Sequence, residues 1–160
     1  MNRSTTDGAP GRDELARRAV EALDRVACAA SRELDRHAAG YGLSDAKLEV
    51  IEALCCKGER RACLHALGDE LGVTRPNVTK LVDGLERGGL VERLPHPTDG
   101  RMVHAHLTDR GAALAEDALP GREVLVRRIW DALDDDELAQ LVELLGVVAD
   151  HAGAGATTTP

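Results

Sequence analysis

Apolar positions recur along this chain at three- and four-residue intervals, the spacing that gathers side chains on one face of a helix. Leu15, Ala19, Leu23, Val26, Ala30, Leu34 and Ala38 form the first such stripe and predict a helix over residues 13–39. Gly40 and Gly42 interrupt it. Ser44 is a capping residue, and Leu48, Ile51, Leu54 and Cys55 predict a second helix over 45–56. Lys57 to Arg61 reads as a charged turn, with Arg60 and Arg61 facing either solvent or a phosphate backbone. Leu64, Leu67 and Leu71 predict a short helix that Gly72 ends, because glycine takes the left-handed conformation without a Cβ clash. Thr74 is placed to cap the next helix, Pro76 falls in its first turn, and Val78, Leu81, Val82 and Leu85 make its apolar face.

After Gly88 and Gly89 the period shortens. Leu90, Val91 and Leu94 alternate with Glu92 and Arg93 as a strand, and Met102, Val103 and Leu107 make the return strand. Between them Pro95-His96-Pro97-Thr98-Asp99-Gly100 is turn chemistry. Thr108 caps a long helix from Asp109 to about Trp130, in which Pro120-Gly121 predicts a kink. The acidic run Asp134 to Glu137 suits the positive N-terminal end of a last helix, whose buried stripe is Leu138, Leu141, Val142, Leu145 and Val148, ending near Asp150.

Two short helices across a tight turn, followed by a hairpin, outline a winged helix-turn-helix. The fold class expected is mostly α with a small β-hairpin wing. Opposite the apolar face of its second short helix stand Arg75, Asn77, Thr79 and Lys80. Arginine offers a fork to guanine and asparagine a bidentate pair to adenine, while threonine and lysine suit a thymine methyl or a phosphate. The same four residues also read as an ordinary solvated helix face. Arg101 stands just past the hairpin tip, where a minor groove's negative potential attracts arginine, and Asp99 is spaced to orient it. A plain turn ion pair is the other reading of Asp99 and Arg101.

The segments LSDAKLEVIEAL at 43–54, LGVTRPNVTKLVDGLERGGLVER at 71–93, DGR at 99–101 and LTDRG at 107–111 together resemble the MarR family of bacterial transcriptional regulators. With the flanking helices the resemblance runs from about residue 13 to 150. It implies a homodimer on double-stranded DNA, with a recognition helix in each major groove, wing arginines in the minor groove and a small-molecule effector. By position Arg75, Asn77, Thr79 and Lys80 inherit the recognition role, and Asp99 and Arg101 the wing role. Gly100 stands where many relatives carry a second basic residue, so this tip has one charge fewer. The implied layout is a winged-helix lobe at 43–111, dimerisation helices at 13–42 and 112–150, and disordered tails at 1–12 and 151–160.

Composition sharpens this picture. At 160 residues the chain is long enough for one domain with a real core. No apolar run approaches the roughly 18 residues of a spanning helix, and the polar N-terminus predicts no secretory signal, so the cytoplasm is expected and no membrane partner. Cys28, Cys55, Cys56 and Cys63 read as free thiols on buried helix faces, without metal spacing. Some relatives sense oxidants through a first-helix cysteine, the region of Cys28, but this chain has only Tyr41 and no phenylalanine to hold a thiolate. His104 and His106 would share one strand face, as a metal pair would or as two plain polar residues. No nucleophile–base constellation, phosphate loop or zinc-protease motif is legible, so neither an enzyme nor a cofactor is expected.

Net charge is −8, an acidic balance for a DNA binder. It is unevenly spread: residues 1–71 hold 11 basic and 13 acidic side chains, residues 72–110 hold 6 and 5, and residues 111–160 hold 3 and 10. The proposed reading segment is thus the one net-positive stretch. The acidity also motivates an alternative, a winged helix that binds protein, and Cys28 a second, a thiol-based redox regulator.

Overall fold

A computed structural model describes residues 10–95 and 103–156, with side chains as far as residue 152. The order of elements is α1 (Arg12–Ala39), α2 (Asp45–Cys55), a 3-10 turn (Gly58–Arg60), β1 (Arg61–Cys63), α3 (Leu64–Glu70), α4 (Arg75–Arg87), β2 (Val91–Pro95), β3 (Val103–Leu107), α5 (Asp109–Ile129) and α6 (Asp135–Ala156). The chain divides into two compact units, Met1–Arg122 and Glu123–Pro160.

In the first unit α2, α3 and α4 pack over a three-stranded antiparallel sheet of order β1-β3-β2. One core joins them: Val50, Ile51 and Leu54 from α2, Leu67 from α3, Val78, Val82 and Leu85 from α4, and Val91, Ala105 and Leu107 from the sheet. A smaller cluster of Ala38, Leu48 and Ala118 ties α1, α2 and α5. The apolar spacing of α4 therefore does what it predicts, with Leu81 left partly buried.

β1 is an element the sequence did not announce. Arg61 was expected to end a charged turn, with Ala62 and Cys63 assigned to no element, but the three pair with β3 in the register Arg61↔His106, Ala62↔Ala105, Cys63↔His104. Three residues are too few for a period-2 pattern to show, and the partner lies some forty residues on. Before it, Glu59 and Arg60 adopt positive φ of 58° and 50°.

The LTDRG motif closes the unit. Thr108 donates its hydroxyl to the carbonyls of Gly89 (2.8 Å) and Leu90 (3.1 Å), and the same oxygen accepts from the Gly111 amide at 3.1 Å. The start of α5 is so close to β2 that a Cβ on Gly111 would lie 2.1 Å from the Leu90 carbonyl oxygen and 2.6 Å from Leu107 Cδ1. Glycine is required here by backbone contact.

The middle of α5 is gripped from two sides. Pro120 lies inside the helix, which runs on to Ile129 without a break in its assignment. Carbonyls of the turn before it meet side chains from the end of α1 and the turn that follows it: His37 Nε2 lies 2.8 Å from Ala118 O, and Tyr41 donates its hydroxyl to Asp117 O at 3.1 Å. The His37 ring fills the space beside Gly121, where a Cβ would meet its Cε1 at 2.6 Å. One residue on, the Arg122 guanidinium, 11% exposed, reaches three carboxylates of α2: Asp45 at 2.9 Å, Glu49 at 3.0 Å and Glu52 at 2.7 Å. Partial burial, then the nearby Asp45 carboxylate, raises the Glu49 carboxyl above its usual range against the pull of Arg122.

Several side chains expected inside are outside. Cys28, Cys55 and Cys56 are exposed and Cys63 is half-buried; all four are free thiols. In α2 the inward positions are Val50 and Ala53 rather than Cys55, because the helix is buried over a wider arc than a three-four stripe assumes. On α1 only Ala38 is buried, and Leu15, Val20, Leu23 and Val26 are 41–59% exposed. In the second unit Asp134 and Glu137 form a reciprocal capping box at the start of α6, each accepting from the other's amide (2.9 and 3.1 Å). The expected buried stripe of that helix is only half-buried at Leu138, Leu141 and Leu145, and Val142 and Val148 are open to solvent with Leu144 and Val147. The helix continues to Ala156, past the Asp150 at which its apolar pattern stops.

Two outcomes follow for stability. Gly111→Ala forces backbone apart and is expected to cost about 3 kcal/mol, read by chemical denaturation. Arg122→Met strands three carboxylates and is expected to cost about 2–3 kcal/mol, toward the low end because Glu49 and Glu52 are partly solvated. Glu49→Gln goes the other way. A carboxyl whose folded pKa is raised contributes most below its unfolded value and loses that contribution as pH rises through the raised one. The variant should therefore melt at or above the wild type near neutral pH, the gain shrinking on acidification toward the ordinary glutamate value of 4.5, as read by circular dichroism.

Candidate nucleic-acid interface

The candidate surface is built on α4. Gly72, at φ +63°, turns the chain after α3, and Thr74 begins α4 in extended conformation. Thr74 occupies the capping position its sequence predicts, but its hydroxyl makes no capping hydrogen bond. Burial of Val78, Val82 and Leu85 fixes the rotation of the helix, so that Arg75, Pro76, Asn77 and Lys80 come out exposed. Thr79 is half-buried, and its hydroxyl donates back to the Arg75 carbonyl at 2.9 Å. That bond leaves the Thr79 oxygen as an acceptor and its methyl as a contact surface. Neither Arg75 nor Lys80 takes part in an ion pair with any described residue.

Behind α4 the hairpin holds the register Val91↔Leu107, Glu92↔His106, Arg93↔Ala105, Leu94↔His104 and Pro95↔Val103. Its connection, 96–102, lies outside the described residues, and with it Asp99, Gly100 and Arg101. His106 meets its cross-strand partner, Nδ1 lying 2.9 Å from Glu92 Oε1, so the histidine that was expected to share a strand face with His104 is engaged with a carboxylate. Among the described residues no group of three or more His, Cys, Asp or Glu side chains is arranged to hold a metal.

Arg60 and Arg61 are both engaged within the protein. Arg61 pairs with Glu59, and Arg60 lies 3.9 Å from Asp109. Cys55 is a poor candidate for an activated thiol, since desolvation, then the neighbouring Cys56, pushes its pKa up.

The residue that the sequence reading passed over is Arg93, taken as one of the polar positions in a strand. It reaches from β2 onto α4: Nη2 lies 2.5 Å from Asp83 Oδ1, Nη1 binds Glu86, Nη2 also donates to the Thr79 carbonyl at 3.3 Å, and the Arg93 amide donates to Glu86 Oε1 at 3.2 Å. Between α3, α4 and β3 lies an open groove of about 760 Å³, lined by Leu64, Val73, Thr79, Arg93 and Val103 among others.

A half-exposed helix carried on a buried face, preceded by a glycine turn and backed by a β-hairpin, defines the winged helix-turn-helix class. Comparison narrows it. The MarR family model matches residues 41–102. The regulator YkoM of Bacillus subtilis is 33% identical over 111 residues, 69% of this chain and 71% of that protein. The transcriptional repressor YetL of the same bacterium is 32% identical over 113 residues, 71% of this chain and 68% of its own. A mutant of Escherichia coli MarR, solved with operator DNA, superposes with a TM-score of 0.74 at 28% identity, covering 87% of this chain and 99% of that one. The chain belongs to the MarR family of transcriptional regulators.

Proposed function

We propose that this protein is a homodimeric regulator that binds a roughly palindromic operator. In each subunit Arg75, Asn77, Thr79 and Lys80 read the major groove, and Arg101, oriented by Asp99, enters the minor groove. The observation that carries this reading is the rotation of α4, whose buried Val78, Val82 and Leu85 turn Arg75, Asn77 and Lys80 outward, with Thr79 half-buried beside them. That the E. coli MarR mutant was solved with operator DNA supports it.

Dimerisation is supported by the uncovered apolar side chains of α1 and α6, far more than scattered surface residues would give. In this reading 13–42 and 112–150 supply the dimerisation helices, and 43–111 the DNA lobe. Two recognition helices then lie about one helical turn apart, roughly 34 Å. The family resemblance adds a small-molecule effector that changes this arrangement. No helix among the described residues is long and apolar enough to cross a membrane, which fits action on cytoplasmic DNA.

The test uses duplexes that the purified protein selects from a random-sequence library. Asn77→Ala and Arg75→Ala should weaken binding to the selected duplex by about 1–3 kcal/mol and relax base preference, whereas Lys80→Ala should weaken selected and random duplexes alike and lower the salt slope by about one. Sedimentation should give a dimer at micromolar concentration. A monomer that selects no duplex refutes the proposal, and selection that survives loss of Asn77 and Arg101 together favours a protein-binding role.

A further inference from the structure

The recognition helix carries two acids on the side from which it is proposed to read. Thr79, Asp83 and Glu86 are spaced four and three residues apart, so they share one face of α4. Left alone, Asp83 and Glu86 would set two negative charges beside the residues that must approach phosphates. Arg93 is fastened to both. Its guanidinium spans the two carboxylates and the carbonyl of Thr79, and its amide holds Glu86 a second time. It is 24% exposed, more enclosed than either acid.

We propose that Arg93 is a positioning residue for DNA recognition: from β2 it pins the Asp83 and Glu86 carboxylates and offsets one of their two negative charges, so that the reading face of α4 keeps a net charge that DNA tolerates. The inference rests on the DNA-binding reading above. Burial alone would lower the Arg93 pKa, but the hydrogen bonds it donates to Asp83 and Glu86 raise it above the usual arginine value, so the cation is secure at any physiological pH. Its four anchoring contacts are all to α4, and Arg75 and Lys80 stay outside any ion pair with a described residue, as does Arg87 at the far end of the helix, whose Nε donates to the Asp83 carbonyl at 3.3 Å.

The experiment compares wild type, Arg93→Gln, the double variant Asp83→Asn with Glu86→Gln, and the triple variant, all against a duplex selected by the wild type and a random one. Binding is read by fluorescence anisotropy across a salt series. Arg93→Gln is expected to bind both duplexes about tenfold more weakly near 0.1 M salt, the deficit narrowing as salt screens the exposed acids. The triple variant should return to within about threefold of wild type, because the repelling charges are gone. The double variant, which keeps Arg93 and frees it, should bind more tightly and with a steeper salt slope, and this arm stands even if Arg93→Gln folds poorly. A deficit that is independent of salt and not repaired in the triple variant, or a double variant that binds no better than wild type, overturns the inference while leaving the DNA-binding reading intact. A wild type that selects no duplex overturns both.

Discussion

The DNA-reading unit closes because residue 111 has no side chain. Its hydrogen atom occupies the gap between the first turn of α5 and the carbonyl of Leu90, the point where α4 has ended and β2 begins. Thr108 seals the same joint with hydrogen bonds to Gly89 and Leu90. Helix α4, the hairpin and α5 therefore meet through backbone groups, which have no rotamers and little give. The buried side chains of Val78, Val82 and Leu85 then fix how α4 is turned, and that rotation decides which polar residues face outward. A looser joint would leave the same residues on the helix without fixing where they point.

Around this frame the protein manages charge by enclosure. Arg93 and Arg122 are each partly buried, and each is ringed by acids from a neighbouring helix. The arrangement differs in outcome. Arg93 meets two acids and offsets one of their charges on that helix. Arg122 meets three, and Glu49 among them has its pKa raised, by partial burial first and by the nearby Asp45 second. The first arrangement suits a surface that must approach a polyanion; the second suits a joint where α5 is anchored beside His37 and Tyr41. Arginine serves both because its planar fork satisfies several oxygens at once.

Much of this was legible from spacing. The helices of the lobe, the glycine turn at 72, the hairpin strands and the acidic cap of α6 follow from period and capping chemistry, since those signals are local. What was not legible is long-range. β1 exists only because β3 offers it an edge, and nothing in Arg61-Ala62-Cys63 announces that partner. The roles of Arg93 and Arg122 depend on acids 7 to 77 residues away in sequence, and a lone arginine in a strand or helix looks like surface. Gly111 was visible only as part of a motif; its necessity appears once Leu90 lies against it. The burial of Cys55, Val142 and Val148 was misjudged for a related reason: a stripe shows which face is apolar, but not what lies opposite it.

The two acids of α4 explain why an enclosed cation is needed there, when salt might be thought to suffice. Asp83 stands three residues from Lys80 and four from Thr79, a Cβ separation of about 5–6 Å on a helix surface. The Debye length at physiological ionic strength is about 8 Å, so mobile ions only partly mute a charge that close to the proposed reading residues. Removing the acids by substitution would also remove the grip on Arg93 that joins β2 to α4. Holding them while offsetting part of their charge meets both demands. On the proposed reading, a chain with net charge −8 then presents a locally less acidic face to DNA, with its affinity set by the few cations left unpaired on that face instead of by its overall charge.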